Sequence, residues 1–111
     1  MDALHQRWAG GPFIAATSKG VDFADEPHLH RYASSTWAER ANCSKCGSIV
    51  FYRLLDSDEH EIPVGAFDSA DGFTMAGEIF IDLKPDAYAF SGDHPRLDEK
   101  ETLARFKEFA G

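Results

Sequence analysis

The sequence has few cysteines, a shortage of positive charge and no long apolar run. Its 111 residues include 11 Lys and Arg against 19 Asp and Glu, a formal net charge of −8. Non-specific binding to nucleic-acid phosphates depends on clustered Lys and Arg, so this balance predicts that nucleic acid is not a partner. No apolar stretch approaches the roughly 20 residues that a membrane-spanning helix needs, so no membrane partner is expected either.

The start of the chain and its low cysteine content predict a cytoplasmic protein. Residues 1–5 lack the basic start and the apolar segment of a signal peptide. In the cytoplasm, two cysteines more often bind a metal ion or act as redox thiols than form a structural disulfide. The length and the absence of repeats or linkers predict a single domain over residues 1–111.

The two cysteines form the motif Cys43-Ser-Lys-Cys46, which Gly47 follows directly. Two thiolates three positions apart on a tight turn can bind one tetrahedral metal ion, and glycine suits such a turn because it tolerates positive φ. We therefore predict that Cys43 and Cys46 bind zinc, on a turn that leads into a strand. The motif supplies two of the four ligands of a structural zinc site. A metal-free reduced pair, a disulfide formed on oxidation and a redox-active pair stay open as alternatives.

Short alternating stretches separated by turn signals predict a mainly β fold. Strands are expected at residues 13–18, 21–24, 28–32, 48–55, 60–67 and 78–82. One helix is expected over residues 99–110. Asp98 stands at its N-cap position with Glu101 three residues later, the pattern of a capping box.

Four histidines need a separate interpretation. His28 and His30 alternate on a predicted strand, so both imidazoles can lie on one face and complete a set of two cysteines and two histidines. The simpler interpretation is a pair of partly exposed side chains on an edge strand. His60 and His94 stand in polar stretches, and we expect both at the surface.

Aromatic and basic residues offer further candidates. Five aromatic side chains can line a substrate cleft, although packing in the core is the more frequent use: Trp8, Trp37, Phe51, Tyr52 and Phe80. Three arginines can bind substrate carboxylates or form ordinary salt bridges, and in so acidic a chain we favour salt bridges: Arg7, Arg40 and Arg53.

Several motifs in fixed order resemble one known family. They are Arg7-Trp-Ala-Gly-Gly-Pro-Phe13, Tyr32-Ala-Ser-Ser-Thr-Trp-Ala-Glu-Arg40, Cys43-Ser-Lys-Cys-Gly-Ser48 running into Phe51-Tyr-Arg53, Asp71-Gly-Phe73, Glu78-Ile-Phe-Ile-Asp-Leu-Lys-Pro-Asp86, Tyr88-Ala-Phe90 and Gly92-Asp-His-Pro-Arg-Leu97. Together they resemble the glutathione-dependent formaldehyde-activating enzyme (GFA) family, a carbon–sulfur lyase-like zinc family. The resemblance implies a β-tent-like sandwich of short antiparallel strands with a C-terminal helix. It also implies zinc as cofactor and a thiol such as glutathione as small-molecule partner.

The chain departs from that family at its cysteines. Family members carry an early C-x-C pair that completes the structural zinc site, then a C-x-C-x2-C motif that holds a catalytic zinc. Alignment on Trp8 places the last two cysteines of this motif at His5 and Asp2, while its first cysteine and the early C-x-C pair fall outside this chain. By resemblance, His5 and Asp2 are therefore the candidate catalytic residues. A missing N-terminal segment, a misassigned gene start and a degenerate paralogue stay open as explanations.

Two hypotheses of function follow. In the first, the chain is a GFA-like carbon–sulfur lyase, resembling S-(hydroxymethyl)glutathione synthase, with activity impaired by the lost cysteines. In the second, it is a non-catalytic metal-binding or interaction module that assembles as a homodimer. The lost ligands motivate the second hypothesis, and the order of the motifs motivates the first.

Overall fold

The computed structural model describes residues 3–24 and 26–110, in two units. One unit is Ile14–Asp71, here called the sheet unit. The other, here called the helical unit, comprises the described residues up to Phe13 and those after Asp71. The helices and strands are α1 (Ala3–Ala9), β1 (Ala15–Lys19), β2 (Leu29–Ala33), β3 (Ala38–Cys43), β4 (Ile49–Leu54), β5 (Glu59–Pro63) and α2 (Glu99–Ala110). Neither described helix is long and apolar enough to cross a membrane.

The five strands form one antiparallel sheet in the order β1-β5-β4-β3-β2. The mainly β prediction with a C-terminal helix is therefore confirmed, while the more specific likeness to a β-tent stays a prediction. Strands β3 and β4 form a hairpin, in which Cys43 is the last residue of β3 and Cys46 lies in the connecting turn. The pairing of β3 with β4 shifts between Ala41 and Asn42, immediately before Cys43. This irregularity ends the regular ladder where the turn begins.

Phe51 is the centre of the apolar face of the sheet. Its side chain is fully buried, and its ring contacts those of Phe23 at 5.4 Å and His60 at 4.7 Å. Phe23 comes from the segment after β1, where the predicted strand 21–24 is wrong. The segment uses its aromatic side chain to cover Phe51 and does not join the sheet. His60, expected at the surface, is buried instead, because it lies on β5 beside these rings.

A buried carboxylate lies beside this aromatic cluster. Glu39 on β3 is opposite Arg53 on β4, and its Oε1 accepts hydrogen bonds from Arg53 Nε at 3.0 Å and from Arg31 Nη1 at 2.7 Å. The Arg31 guanidinium also lies over the Phe51 ring, 5.3 Å from its centroid. Charge and hydrogen bonding offset the cost of burying the carboxylate. Arg53 is thus engaged in a salt bridge, as the sequence favoured.

Irregular backbone dominates the helical unit between Gly72 and α2. The predicted strand 78–82 is wrong: Glu78 forms an isolated parallel bridge with Arg96, and Ile81–Leu83 is a 3-10 turn. Phe80 takes a left-handed conformation with φ of 52°. Its N–H bonds to the hydroxyl of Thr102, a fully buried residue of α2. Phe80 is therefore bonded to helix α2 and does not take part in a strand ladder.

Helix α2 begins as the sequence predicts. Asp98 Oδ1 accepts the Glu101 N–H at 2.8 Å, and Glu101 Oε1 accepts the Asp98 N–H at 3.2 Å, so the capping box is confirmed. Asp82 adds a cap from outside the helix, because its Oδ1 accepts the Glu99 N–H at 2.9 Å. Sequence spacing could not show this third bond, which joins residues 17 positions apart.

Candidate functional site

The cysteine turn has a defined backbone geometry. The Cys43 N–H donates to the Ser48 carbonyl at 2.8 Å, and the Gly47 N–H donates to the Cys43 carbonyl at 2.7 Å. Gly47 has φ of +79°, a conformation that favours glycine, so its place after Cys46 follows from the turn itself. The predicted tight turn leading into a strand is confirmed.

A second set of bonds fixes the turn to the chain before β2. The backbone N–H and the hydroxyl of Ser44 both donate to the His28 carbonyl, at 2.7 and 3.0 Å. Leu29 is also paired with Cys43 across β2 and β3. The turn is therefore held on two sides, by its own hairpin and by the segment that enters β2.

Both cysteines are free thiols, with Cys43 half-buried and Cys46 exposed. Cys46 Sγ lies 3.1 Å from Ser48 Oγ. The Ser48 hydroxyl lowers the pKa of the Cys46 thiol below its ordinary value, with the Ser48 N–H and the Cys43 thiol acting in the same direction. Hydrogen bonds that favour the thiolate have this effect, and the thiolate is the form that binds metals and attacks electrophiles. The arrangement thus favours the thiolate of Cys46.

The described residues do not complete a metal site around this pair. No group of three or more His, Cys, Asp or Glu side chains among them lies close enough together to hold a metal ion. Two thiols fit half of a tetrahedral zinc site, and the described part of the chain does not supply the other half. Zinc binding by Cys43 and Cys46 stays a prediction.

The alternative set with His28 and His30 is not formed. His28 ends a 3-10 turn, Glu26–His28, while His30 lies on β2, so the two histidines do not alternate on one strand. A proline and a 3-10 turn precede β2, which explains why the strand begins one residue later than the histidine pattern indicated. His30 is exposed, in agreement with the simpler interpretation.

An open cavity of about 250 Å³ lies beside the turn. Its walls are mostly apolar, and Cys43 and His28 are both part of them. The lining residues are Asp22, Phe23, Ala24, His28, Leu29, Cys43 and Val50. The cavity is open and smaller than a typical drug-sized pocket.

His5 and Asp2 are the candidate catalytic residues by resemblance, and the structure describes His5 alone of the two. His5 lies on α1, is buried, and its ring stacks on that of Phe13 at 5.8 Å with an interplanar angle of 18°. Asp2 lies outside the described residues. The catalytic role of both residues stays a prediction, and α1 itself was not expected from the sequence.

A polar cluster in the helical unit was missed. Glu78 Oε2 lies 2.6 Å from His94 Nε2 and accepts a hydrogen bond from Arg96 Nε at 3.0 Å. The His94 side chain is only 4% exposed, so its expected surface position is wrong. It is buried because the Glu78 carboxylate pairs with it. Residues 16 and 18 positions apart in an irregular segment carry no periodic signal, so only the folded chain reveals this cluster.

The aromatic residues are divided between core and surface. Phe51 is fully buried, as the core interpretation predicts, and Trp8, Tyr52 and Phe80 are half-buried. Trp37 is 61% exposed, because it stands in the bend before β3. The described geometry does not gather these five side chains around the cavity, whose lining includes Phe23 instead.

Comparison with known proteins gives one curated relative. An uncharacterised lyase of Schizosaccharomyces pombe is 28% identical to this chain over 86 residues, which are 76% of this chain and 63% of that protein. The chain therefore spans less than two thirds of the length of this relative. No family model matches the sequence, and no solved structure matches it.

Proposed function

We propose that this chain has a lyase-like function of the GFA type, in which a small thiol such as glutathione forms or loses an adduct with an aldehyde. Two findings support the lyase class. The first is the similarity to a protein named as a lyase over 76% of this chain. The second is the ordered set of motifs that resembles the GFA family, of which the Cys43–Cys46 turn adopts the tight geometry that the motif predicted.

The similarity to a protein named as a lyase is the single observation that carries the proposal, and the geometry of that turn adds to it. A C-x2-C sequence alone allows an inert pair, but here Gly47 has positive φ and Ser48 favours the thiolate of Cys46. If zinc binds there, it would cross-link the turn through the sulfur atoms of Cys43 and Cys46. The described residues provide only half of such a site, so we assign no chemical step to the metal.

The proposed reaction adds a thiol to a carbonyl. The S–H proton leaves the thiol, a sulfur–carbon bond forms, and the carbonyl oxygen receives a proton, so that formaldehyde and glutathione give S-hydroxymethylglutathione. By resemblance, His5 and Asp2 stand where the family carries cysteines of the catalytic zinc, so we propose that His5 would hold the metal through an imidazole nitrogen and Asp2 through a carboxylate.

The test is a direct assay. Purified protein, with and without added zinc, is incubated with glutathione and formaldehyde, and formation of S-hydroxymethylglutathione is followed by NMR. We expect a rate above the uncatalysed reaction and a loss of that excess in His5→Gln. Ser91→Ala, an exposed position of the helical unit, is the matched control and should retain it. A rate equal to the background for the parent protein would exclude this substrate pair.

A second candidate function is a non-catalytic metal-binding or interaction module. It is motivated by His5 and Asp2, which stand where the GFA family carries metal-binding cysteines. Exposed apolar side chains in the sheet unit, including Tyr32, Trp37 and Leu54, also suit an interaction surface. Zinc uptake without any acceleration of the thiol–aldehyde reaction would favour this function over the first.

A further inference from the structure

Trp37 and Leu55 form an exposed apolar pair at one end of the sheet. The Leu55 N–H donates to the Trp37 carbonyl at 2.9 Å, which continues the pairing of β3 with β4 one step beyond Ala38. The two residues therefore stand opposite each other, and side chains in such a pair are neighbours on one face of a sheet. Trp37 is 61% exposed and Leu55 is 42% exposed. Contact with a partner would remove this apolar surface from water.

Two carboxylates lie next to this pair in the chain. Asp56 follows Leu55 directly, and Asp58 lies in the same turn between β4 and β5. Both are exposed, and among the described residues no Lys, Arg or His side chain forms a salt bridge with either. The arginine of β4, Arg53, is already bonded to a buried carboxylate and to the Ser57 carbonyl. The negative charge of this turn is therefore available to a partner.

The backbone of the β4–β5 turn is fixed by three hydrogen bonds of Ser57. Its N–H donates to the Leu54 carbonyl at 3.1 Å, and its carbonyl accepts from Arg53 Nη1 at 2.9 Å. Its hydroxyl accepts the Glu59 N–H at 3.0 Å. A turn held in this way loses little conformational entropy when a partner binds its side chains.

We propose that a basic segment of a partner protein, with Lys or Arg side chains interspersed with aliphatic ones, binds at this end of the sheet. The surface, here called the Trp37 surface, has four residues: Trp37, Leu55, Asp56 and Asp58. An aliphatic side chain of the partner packs on the apolar pair, one cation lies over the Trp37 indole, and further cations pair with the two carboxylates. This surface lies within the sheet unit and is independent of the lyase-like activity proposed above.

The charge of the whole chain favours this class of partner. The formal net charge is −8, so a basic segment is attracted before contact is made. A second copy of the chain carries the same charge and is repelled, as are nucleic-acid phosphates and anionic lipid headgroups. Charge complementarity therefore selects a basic protein segment over these other occupants.

Titration with a synthetic peptide tests the proposal. The probe is fluorescein-labelled Lys-Leu-Lys-Lys-Leu-Lys, and its fluorescence anisotropy reports binding to the parent protein. We expect saturable binding that weakens at least about fivefold when sodium chloride is raised from about 20 to 200 mM, because exposed charge pairs are screened. Peptides with Glu in place of Lys, or Ser in place of Leu, should bind more weakly. In ¹⁵N NMR spectra, the Trp37 indole N–H and the amides of Leu55 and Asp56 should shift.

A matched pair of aromatic substitutions tests the apolar part of the surface. Trp37→Ala should weaken binding about tenfold or more, as expected for an aromatic side chain at the centre of an interface. Tyr32→Ala is the control, because Tyr32 is also 61% exposed but lies on β2 opposite Arg40. It should leave the affinity unchanged. Circular dichroism should match the parent in both, since both side chains are exposed.

A matched pair of double substitutions tests the charged part. Asp56→Asn with Asp58→Asn keeps the apolar pair and should weaken binding at least about fivefold. Asp68→Asn with Asp71→Asn removes the same charge from exposed positions after β5, and should weaken it by less than about twofold. The first variant also tests the proposal if Trp37→Ala fails to fold.

Four results would overturn the proposal. They are no saturable binding by the parent, equal losses in Trp37→Ala and Tyr32→Ala, equal losses in the two double variants, and equal affinity for the Ser-containing peptide, which would show attraction by charge alone. Self-association of the parent that Trp37→Ala removes in sedimentation would assign the surface to a second copy instead. None of these measurements depends on the thiol–aldehyde assay.

Discussion

Each of the two units has its own kind of internal hydrogen bonding. In the sheet unit, four antiparallel strand pairings repeat the same backbone ladder. In the helical unit, side chains bind irregular backbone: Thr102 accepts the Phe80 N–H, Asp82 accepts the Glu99 N–H, and Gln6 donates to the Leu83 carbonyl. A ladder spreads stability over many equivalent bonds, whereas the second arrangement depends on individual side chains.

The largest expected effect is at the centre of the sheet unit. Phe51→Ala removes a fully buried ring that contacts Phe23 and His60, so we expect a loss of about 3–5 kcal/mol of unfolding free energy. Leu54→Ala, on the same strand but 44% exposed, is the matched control and should cost less than about 1 kcal/mol. Urea denaturation followed by circular dichroism measures both, and equal losses would contradict the buried core described here.

The next effect is at the buried carboxylate of the sheet unit. Glu39→Ala removes the partner of Arg31 and Arg53, and we expect a loss of about 2–3 kcal/mol because a partly buried charged network is broken. The control is Glu26→Ala, which contacts Arg31 from an exposed position and should change stability by less than about 0.5 kcal/mol. Similar urea midpoints for the two variants would show that the buried salt bridges of Glu39 add no more stability than the exposed one of Glu26.

A smaller and more local effect is expected in the helical unit. Glu78→Gln weakens the bonds to His94 and Arg96 and should cost about 1–2 kcal/mol. The Ile81 N–H bonds to the Leu97 carbonyl and the Leu97 N–H to the Glu78 carbonyl, so loosening Glu78 should accelerate amide hydrogen exchange at Ile81 and Leu97 while the strands stay protected. Asp93→Asn, an exposed neighbour, should leave exchange unchanged. Uniform acceleration across both units would contradict the contrast between them.

The smallest expected effect is a change in the pKa of Cys46 at the cysteine turn. Here the sheet unit, like the helical unit, uses side-chain hydrogen bonds. The Ser48 hydroxyl lowers the pKa of Cys46, so Ser48→Ala should move that pKa upward, towards the ordinary thiol value. The thiolate then forms at higher pH, and alkylation of Cys46 by iodoacetamide near pH 7 should slow. Ser44→Ala is the control, because its hydroxyl binds the His28 carbonyl. If alkylation of Cys46 depends on pH in Ser48→Ala as it does in the parent protein, the Ser48 hydroxyl does not lower the pKa of Cys46.

Prediction from sequence succeeded where a local pattern decides the structure. The Asp98–Glu101 capping box and the glycine after Cys46 were read correctly, because each reflects bonds between residues a few positions apart. The strand around Phe51 was found because its β-branched and aromatic residues suit a half-buried sheet. The wrong strands, 21–24 and 78–82, have the same alternation, but Phe23 and Phe80 are used in contacts with distant residues.

The candidate site likewise has one part that the sequence predicted and another that it did not. Cys43 and Cys46 were predicted from their spacing, and the turn has the geometry that this spacing requires. The cavity beside Cys43 was not predicted, because Phe23, Leu29 and Val50 come from three separate segments. The burial of His94 was missed for the same reason, since its partner Glu78 lies 16 positions away.

By itself, the sequence determined the mainly β character, the C-terminal helix with its capping box, and a tight turn bearing two thiols. These features depend on hydrogen bonds and φ preferences within a few residues, which a local pattern encodes. Tertiary structure alone decided which histidines are buried, where Phe80 bends the chain, and that the described residues supply only two donors at the turn. Such outcomes depend on which distant side chains meet, and separation along the chain leaves no periodic trace of those contacts.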